Sequence, residues 1–298
     1  MAEKQQAVLI VNTQSRRGQE WFEKTKETLE AQGMELLSHY AVRDASRVPQ
    51  LTKQAIEQQV PLVIVGGGDG TLSAVVRYFV NSNSVMGVMP LGTGNQFARD
   101  LGIVADVESA CRVLIEGRVA AVDVGVAGND YFLNVATIGL TTLIAESLTK
   151  ESKRRLGRFA YAAAVIKAVR QMHRFQATIT TDAGTQTVET VQIVIGNGRF
   201  HAGPFPLSPD ANITDGILIV YALTASTRWE LLQFVLSLPG GRHVGLESVP
   251  TFRAKSGMIE TLPSQDVIMD GEVVFRTPLK FGLAPKALRV MVPQDFAG

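Results

Sequence analysis

The first 120 residues alternate short apolar runs with longer stretches in which apolar positions recur every three to four residues. The apolar runs are typical of buried strands: "AVLIV" at residues 7–11, "MELLSHYAV" at 34–42, "LVIV" at 62–65 and "VMGVMP" at 85–90. The periodic stretches between them predict amphipathic helices, of which the first ends at Gly33 and the last begins near Asn95. Strands that alternate with helices predict a doubly wound parallel sheet.

From about Asp123 the pattern changes to strand-like segments separated by Gly, Asn-Asp and Asp-Gly turns. Two helix-like segments interrupt them, at residues 157–172 and 226–238. We therefore predict an α/β domain at residues 1–122 and a β-rich, antiparallel, sandwich-like domain at 123–284. Residues 285–298 are expected to pack back onto the first domain, and a cleft between the domains is the expected place for a site.

Composition and charge limit the kinds of function that the protein can have. The chain has 298 residues, of which 46% are hydrophobic and 19% charged, a normal balance for a globular protein. Its 29 Lys and Arg against 28 Asp and Glu give no basic surplus for nucleic acid. A single cysteine, Cys111, excludes an internal disulfide, and no apolar run reaches the roughly 18–20 residues that a membrane span needs. With no secretory leader pattern, we expect a cytoplasmic protein.

The stretch "LVIVGGGDGTLSAVV" at residues 62–76 places glycines between a strand and a helix. The first N–H groups of such a helix lack internal partners and bind anions, and glycines allow a phosphate to approach the backbone. Thr71 suits a helix cap or a bond to a phosphate oxygen. Asp69 beside a phosphate requires an intervening cation such as Mg²⁺, or a hydroxyl. The pattern predicts a phosphate site, with a tight turn capped by aspartate as the alternative.

A second sequence of strand, glycine turn and helix follows in "VMPLGTGNQFARDLG". Its junction residues are Gly92, Thr93, Gly94 and Asn95. Both turns leave the carboxyl ends of parallel strands, so we expect them to line one crevice, to which Asn12 and the "SRR" at 15–17 add polar and cationic groups. The chain has no Walker motif and no G-x-G-x-x-G fingerprint. The two turns together predict a site for a nucleoside triphosphate.

Three motifs together resemble the diacylglycerol kinase catalytic-domain family, in particular its soluble bacterial lipid kinases. They are "GGGDGT" at residues 66–71, "PLGTGNQFAR" at 90–99 and "DGE" at 270–272. The first motif alone is shared with NAD kinases and phosphofructokinase-like proteins, whereas the set of three is more specific. The resemblance covers nearly the whole chain. It implies an NAD kinase- and phosphofructokinase-like α/β domain, Mg-ATP in the cleft, and a lipid hydroxyl as the phosphoryl acceptor.

The resemblance also implies roles for matching residues. Glu272 would be the general base that acts on the lipid hydroxyl, and Asp69 and Asp123 would belong to the catalytic site. A carboxylate near a poor alcohol nucleophile helps to remove its proton as the attack develops. From the resemblance and the two turns, the residues predicted to bind ATP are Asn12, Gly66, Gly67, Gly68, Asp69, Gly70, Thr71, Gly92, Thr93, Gly94 and Asn95.

A structural Mg²⁺ site is implied at Asp215, assisted by the main-chain oxygens of Asn212 and Ile217. Oxygen ligands of this kind suit a hard cation. The chain departs from the family pattern near this network, because it has Gln96 where relatives usually have aspartate. It also has Ser73-Ala74 where relatives commonly have Asn-Glu. Both departures leave the proposed base untouched.

Several of these residues also have a purely structural interpretation. Asp215-Gly216 and Asp270-Gly271 lie between alternating apolar runs, where an Asp-Gly pair most often forms a tight hairpin turn. Asp123 fits a solvated residue at a domain junction equally well. The basic, partly aromatic segment at residues 150–175 fits either contact with anionic lipid, through "KRR" at 153–155, or an ordinary amphipathic helix.

The expected partner is a lipid substrate presented at a membrane surface, with peripheral contact at the inner face of the membrane and a homodimer as one expected assembly. Two other functions stay open. A kinase of a soluble metabolite such as NAD shares "GGGDGT", although "DGE" belongs to the lipid-kinase pattern. A turnover-deficient nucleotide- or lipid-binding regulator is favoured by Gln96 and opposed by the intact glycine turn and Glu272.

Overall fold

The computed structural model of the protein describes residues 5–14, 18–140, 173–202, 205–208, 210–225, 227–237 and 241–298. The predicted helix at 157–172, the "KRR" at 153–155 and the "SRR" at 15–17 lie outside the described residues. The second predicted helix of the β-rich half is present at Arg228–Ser237.

The helices of the described part are α1 (Gly18–Ala31), α2 (Arg47–Glu57), α3 (Asp69–Phe79), α4 (Gln96–Asp100), α5 (Val107–Glu116), α6 (Arg228–Ser237) and a 3₁₀ helix at Arg242–Gly245. Each of the helices that the structure describes is too short or too polar to cross a lipid bilayer.

The strands are β1 (Gln6–Asn12), β2 (Glu35–Val42), β3 (Leu62–Gly67), β4 (Val85–Pro90), β5 (Arg118–Ala127), β6 (Asp130–Phe132), β7 (Val135–Gly139), β8 (Phe175–Thr181), β9 (Gly184–Thr190), β10 (Gln192–Gly196), β11 (Phe200–Ala202), β12 (Phe205–Pro206), β13 (Leu218–Leu223), β14 (Thr251–Ala254), β15 (Ser256–Leu262), β16 (Asp266–Met269), β17 (Glu272–Arg276) and β18 (Leu279–Val292).

The first four strands form the predicted parallel sheet, in the order β2-β1-β3-β4. Strands β3 and β4 are buried along their whole length, which explains their continuous apolar sequences. The chain winds in opposite directions from β1, so the strand order reverses between β1 and β3. In open α/β sheets a ligand crevice lies at such a reversal, beyond the carboxyl ends of the strands.

Strand β18 joins the two halves of the molecule. It pairs with β4 at Val290, with β5 over most of its length, and with β15 near its start. The side chains near its end, such as Leu288 and Val290, belong to the core of the α/β half. Those near its start, Leu279 and Phe281, belong to the second core. One sheet therefore continues from the parallel strands into the β-rich half.

The second sheet is antiparallel throughout, in the order β14-β13-β10-β7-β16-β17. Its inner side chains, such as Ile193 and Val220, pack against Ile179 and Phe281 of the first sheet. This face-to-face arrangement is the sandwich that the alternating sequences predict.

The two Asp-Gly pairs differ in structure. Asp270 and Gly271 have φ values of 46° and 97° and join β16 to β17, so the hairpin prediction is confirmed there. The hairpin prediction is wrong for Asp215-Gly216, because the loop around it leads into β13, which pairs with β10 and β14 instead.

Candidate active site

The two glycine turns touch each other at the carboxyl edge of the parallel strands. The N–H of Leu91 donates to the carbonyl of Gly67 at 2.9 Å. A Cβ atom on Gly92 would lie 2.6 Å from the Cα atom of Gly68, closer than real side chains come to a backbone. The structure thus brings the two predicted turns together, and their contact leaves no space for larger residues. Gly66, by contrast, is buried in β3 against Val11.

Helix α3 begins at this junction, and its first turn faces open space. A Cβ atom on Gly70 would meet no atom within 4 Å, and Gly70 is exposed. The side-chain amide of Asn12 donates to the hydroxyl of Thr71 at 3.2 Å, which links the end of β1 to the same turn. An accessible helix N-terminus beside two glycine turns has the geometry and the dipole for an anionic group.

We expect Gly70→Ala to weaken ATP binding by about tenfold, because its methyl group would enter the space in which a phosphate would lie. The free energy of unfolding should stay constant or rise, since alanine favours a helix over glycine by up to about 1 kcal/mol. Isothermal titration calorimetry and urea unfolding measure the two effects. Gly245→Ala, whose Cβ also meets no atom within 4 Å, is the control. Unchanged ATP affinity in Gly70→Ala would contradict a phosphate site over this turn.

Asp69 belongs to the first glycine turn and contacts the second glycine turn. Its Oδ1 accepts a hydrogen bond from the N–H of Phe97 at 3.3 Å, and a Cβ atom on Gly94 would lie 2.9 Å from its Oδ2. Asn95 is buried in the left-handed region with a φ of 48°, and its amide both accepts from and donates to the backbone of Gly92 at 2.8 Å. Thr93 is exposed between them. These contacts fix the turn while leaving the Thr93 side chain accessible.

The Asp270 carboxylate is held by three backbone donors. It accepts hydrogen bonds from the N–H groups of Leu133, Asn134 and Val135 at 2.8, 2.9 and 3.0 Å. The Ser73 side chain on α3 lies next to this carboxylate and favours its ionised form. Burial raises the pKa of the Asp270 carboxyl, and these donors act in the opposite direction. The "DGE" turn therefore lies next to the helix that begins in "GGGDGT".

Glu272 follows this turn as the first residue of β17, the edge strand of the antiparallel sheet. Its side chain is exposed, and the next two residues, Val273 and Val274, expose 54% and 40% of their surfaces. A carboxylate next to exposed aliphatic side chains is accessible to an acceptor that is itself partly apolar. Asp270, at the start of this edge, lies next to Ser73 of α3.

Asp123 is buried, exposing 1% of its surface, so the interpretation of it as a solvated residue is wrong. Its Oδ2 accepts from the N–H of Gly216 at 2.8 Å and its Oδ1 from the N–H of Lys286 at 2.7 Å. Its own N–H donates to the carbonyl of Ile213 at 2.9 Å. In this structure Asp123 positions the loop before β13; its predicted catalytic role stays a prediction.

The three residues predicted to bind a metal form a single turn. Asp215 accepts from the N–H groups of Ile217 at 2.9 Å and Asn212 at 3.2 Å. Burial raises the pKa of Asp215, and the nearby Asp123 carboxylate adds to that effect. One carboxylate with adjacent carbonyl oxygens suits Mg²⁺. A bound cation would favour the ionised form of Asp215, which burial and the Asp123 carboxylate disfavour. Within the described ranges, no group of three or more His, Cys, Asp or Glu side chains reinforces this site.

Asp100, at the end of α4, is a residue that the sequence analysis missed. Its Oδ1 accepts from the N–H of Arg199 at 2.9 Å, while its buried Oδ2 has no hydrogen-bond partner among the described residues. Burial raises the pKa of Asp100 to about 7, the Asp69 carboxylate adds to the rise, and the positive charge of Arg199 opposes it. Sequence offers no signal for this contact, because its two residues are 99 positions apart.

This pKa predicts a pH-dependent stability. Because Asp100 holds its proton up to about pH 7 in the fold but only to about pH 3.8 when unfolded, the native state binds more protons between these values. The free energy of unfolding of the wild type should therefore fall relative to Asp100→Asn as the pH rises across this interval, by up to roughly 1.4 kcal/mol per pH unit. Urea unfolding of both proteins between pH 4 and pH 8 measures it. A constant difference would contradict the raised pKa.

The predicted site residues thus form two groups in the structure. The first group surrounds the junction of the glycine turns, and Ser73 on α3 lies next to Asp270, two residues before Glu272. The second group, Asp123 with the 212–217 loop, lies just before the start of β13.

Comparison with known proteins identifies the family. The profile of the diacylglycerol kinase catalytic domain matches residues 6–127, and that of the YegS C-terminal NAD kinase beta sandwich-like domain matches residues 134–292. A diacylglycerol kinase of Staphylococcus aureus (strain bovine RF122 / ET3-1) is 30% identical over 269 residues, which cover 90% of this chain and 85% of that protein. An uncharacterized protein of Synechocystis is 30% identical over 254 residues, and the match spans 84% of this chain but 59% of that longer protein.

The fold is similar to that of a diacylglycerol kinase from Bacillus anthracis str. Sterne, with a TM-score of 0.80, 24% identity and 98% of each chain covered. At that identity the similarity concerns the fold alone, and it confirms the α/β half with an antiparallel sandwich. The second profile by itself spans more than half of this chain. On these matches, the chain belongs to the diacylglycerol kinase catalytic-domain family, as its three motifs predict.

Proposed function

We propose that the protein is a lipid kinase that transfers the γ-phosphate of ATP, in the presence of Mg²⁺, to a hydroxyl group of diacylglycerol or a related lipid. The observation that carries the proposal is the contact of the two glycine turns at the open first turn of α3, with Ser73 of that helix next to Asp270 of the "DGE" turn. The position of Ser73 supports a single site, because it brings the turn before the proposed base Glu272 next to the helix whose first turn is suited to phosphate.

The phosphate end of this site would be formed by the chain's backbone. The first turn of α3 and the paired glycine turns would bind the triphosphate of ATP, with Thr71 and Thr93 donating from their hydroxyls. Phosphoryl transfer asks a protein mainly to position the reactants and to stabilise their charge, which suits a site made of rigid backbone donors.

At the acceptor end, the carboxylate of Glu272 would take the proton of the lipid hydroxyl as attack develops. Val273 and Val274, both exposed, offer apolar contact to the same acceptor. The three N–H groups on Asp270 hold the preceding turn, so that Glu272 starts from a fixed backbone position.

Magnesium, when bound, would have two roles. It would neutralise negative charge on the phosphates, and it would supply positive charge at a structural site. Asp69 is suited to the first role by its place beside the phosphate turn, and Asp215 with the carbonyl oxygens of Asn212 and Ile217 to the second. A lipid acceptor also implies contact with a membrane surface from the cytoplasmic side. That contact, the cytoplasmic location and a homodimer stay predictions.

Transfer of labelled γ-phosphate from Mg-ATP to lipids in mixed micelles tests the proposal. The acceptors would be diacylglycerol, monoacylglycerol, ceramide, sphingosine and a polyprenol, with NAD and buffer as controls. We expect a labelled lipid that depends on Mg²⁺ and is lost in Glu272→Gln. Label on NAD would instead indicate a soluble-metabolite kinase. ATP binding without any labelled product would indicate the regulator.

A further inference from the structure

Helix α4 is held at both ends by carboxylates. At its start, the N–H of Phe97 donates to Asp69 of the phosphate turn at 3.3 Å. At its end, Asp100 accepts from the N–H of Arg199, in the turn between β10 and β11, at 2.9 Å. Phe97 and Ala98 between them are fully buried in the α/β core. A displacement at either end would therefore be transmitted through the helix rather than absorbed by it.

The turn that Asp100 holds is shaped for this contact. Gly198 has a φ of 80°, and a Cβ atom on it would lie 2.7 Å from Oδ2 of Asp100. Only glycine fits both the conformation and the close approach. Residues 198–199 are therefore built around the Asp100 carboxyl group.

Asn197 directly precedes this turn and links it by hydrogen bonds to other segments of the chain. It is buried, and its side-chain amide donates to the carbonyls of Asp123 at 3.0 Å and Leu133 at 2.9 Å. Its own N–H donates to the carbonyl of Asn134 at 2.8 Å. The same two residues, Leu133 and Asn134, donate their N–H groups to the Asp270 carboxylate. Hydrogen bonds and adjacent residues thus connect Asp100 continuously to the turn before Glu272.

We propose that Asp100 is a positioning residue, which aligns the phosphate-binding turns with the strand edge that carries Glu272. The proposal rests on the proposed function for its kinetic consequence. This route is separate from the proximity of Ser73 on α3 to Asp270, because it reaches the second glycine turn through the opposite end of α4. This route of contacts, with Asp69 at one end and Asp270 at the other, then fixes the positions of the two residues relative to each other.

The kinetic test compares three variants. Asp100→Ala should lower kcat for lipid phosphorylation by roughly 10- to 100-fold, the cost of slight misalignment, while KM for ATP stays unchanged. Asp100→Asn keeps an oxygen for the N–H of Arg199 and should restore most of kcat. Asp106→Ala is the matched control, because Asp106 also accepts one backbone N–H, that of Ser109 at 2.7 Å, but caps α5 outside this route.

Equal losses in Asp100→Ala and Asp106→Ala would overturn the proposal, since both would then reflect stability alone. A raised KM for ATP with unchanged kcat would also overturn it, by assigning Asp100 to ATP binding. So would an Asp100→Asn variant as slow as Asp100→Ala.

Hydrogen exchange tests the connection independently of activity. In Asp100→Ala the amides of residues 133–135 should exchange faster than in the wild type, and in Asp106→Ala they should not. Unchanged protection of these amides would overturn the proposal. If the wild type phosphorylated no lipid, the proposed function would fail, but the exchange result would still decide whether Asp100 connects the two halves.

Discussion

Glu272→Gln is expected to lower the rate of lipid phosphorylation by roughly 10²- to 10⁴-fold, the usual contribution of a general base. The amide keeps the size and hydrogen-bonding ability of the carboxylate but cannot accept the proton of the lipid hydroxyl at neutral pH. ATP binding should be unchanged, because the glycine turns and α3 are intact. The free energy of unfolding should also be unchanged, since the Glu272 side chain is exposed. Single-turnover transfer of labelled phosphate and calorimetric ATP binding measure both effects.

Glu260→Gln is the matched control for this prediction. Glu260 is also exposed on a strand, but it lies on β15 of the other sheet, opposite Thr178. The same change of charge there should leave turnover at the wild-type rate. Wild-type turnover in Glu272→Gln would remove Glu272 from the mechanism and leave the proton acceptor to be found elsewhere.

Asp270→Asn should cost about 2–4 kcal/mol in the free energy of unfolding, and turnover should fall with it. The native carboxylate accepts from three N–H groups, with Leu133 on one oxygen and Asn134 and Val135 on the other. An asparagine side chain has one acceptor oxygen, so its amide N–H₂ would face at least one backbone donor. Since the hydrogen bonds are partly buried, an unmatched donor carries a large part of its desolvation cost. Urea unfolding and kcat measure the two losses.

Asp266→Asn separates this effect from a general loss of negative charge on the hairpin. Asp266 is the first residue of β16, the strand that leads into the Asp270 turn, and forms a largely exposed ion pair with Arg276 at 2.9 Å. Exposed pairs contribute about 0–1 kcal/mol, so this variant should be nearly as stable as the wild type. A fall in stability that is the same in both variants would contradict the role given to the three backbone donors.

Local signals in the sequence predicted the parts of the structure that depend on local chemistry. The buried strands β3 and β4 have continuous apolar sequences, and the glycine turns after them are explained by the contact between Gly68 and Gly92. The Asp270-Gly271 hairpin follows from residues that tolerate positive φ. The family resemblance supplied Glu272, whose exposed side chain has no distinguishing local signature.

Contacts between distant residues were not predictable in the same way. The hydrogen bond from Arg199 to Asp100 and that from Lys286 to Asp123 join residues 99 and 163 positions apart, and no periodicity encodes such pairs. Asp215-Gly216 has the same two letters as the true hairpin, but the tertiary pairing of β13 with β10 and β14 decides its structure. Registers of long-range strands are set by packing, which a single sequence does not display.

The place of β18 in both cores has a consequence for how the chain folds. Strands β4 and β5 each pair with β18, so the α/β half completes its sheet only with a strand that follows the β-rich half along the chain. Contacts of such long sequence separation slow folding, and they make the docking of β18 the step at which the sheet of the α/β half closes. Both halves should then melt in one transition, and a ligand of either half should raise the melting temperature of the whole protein.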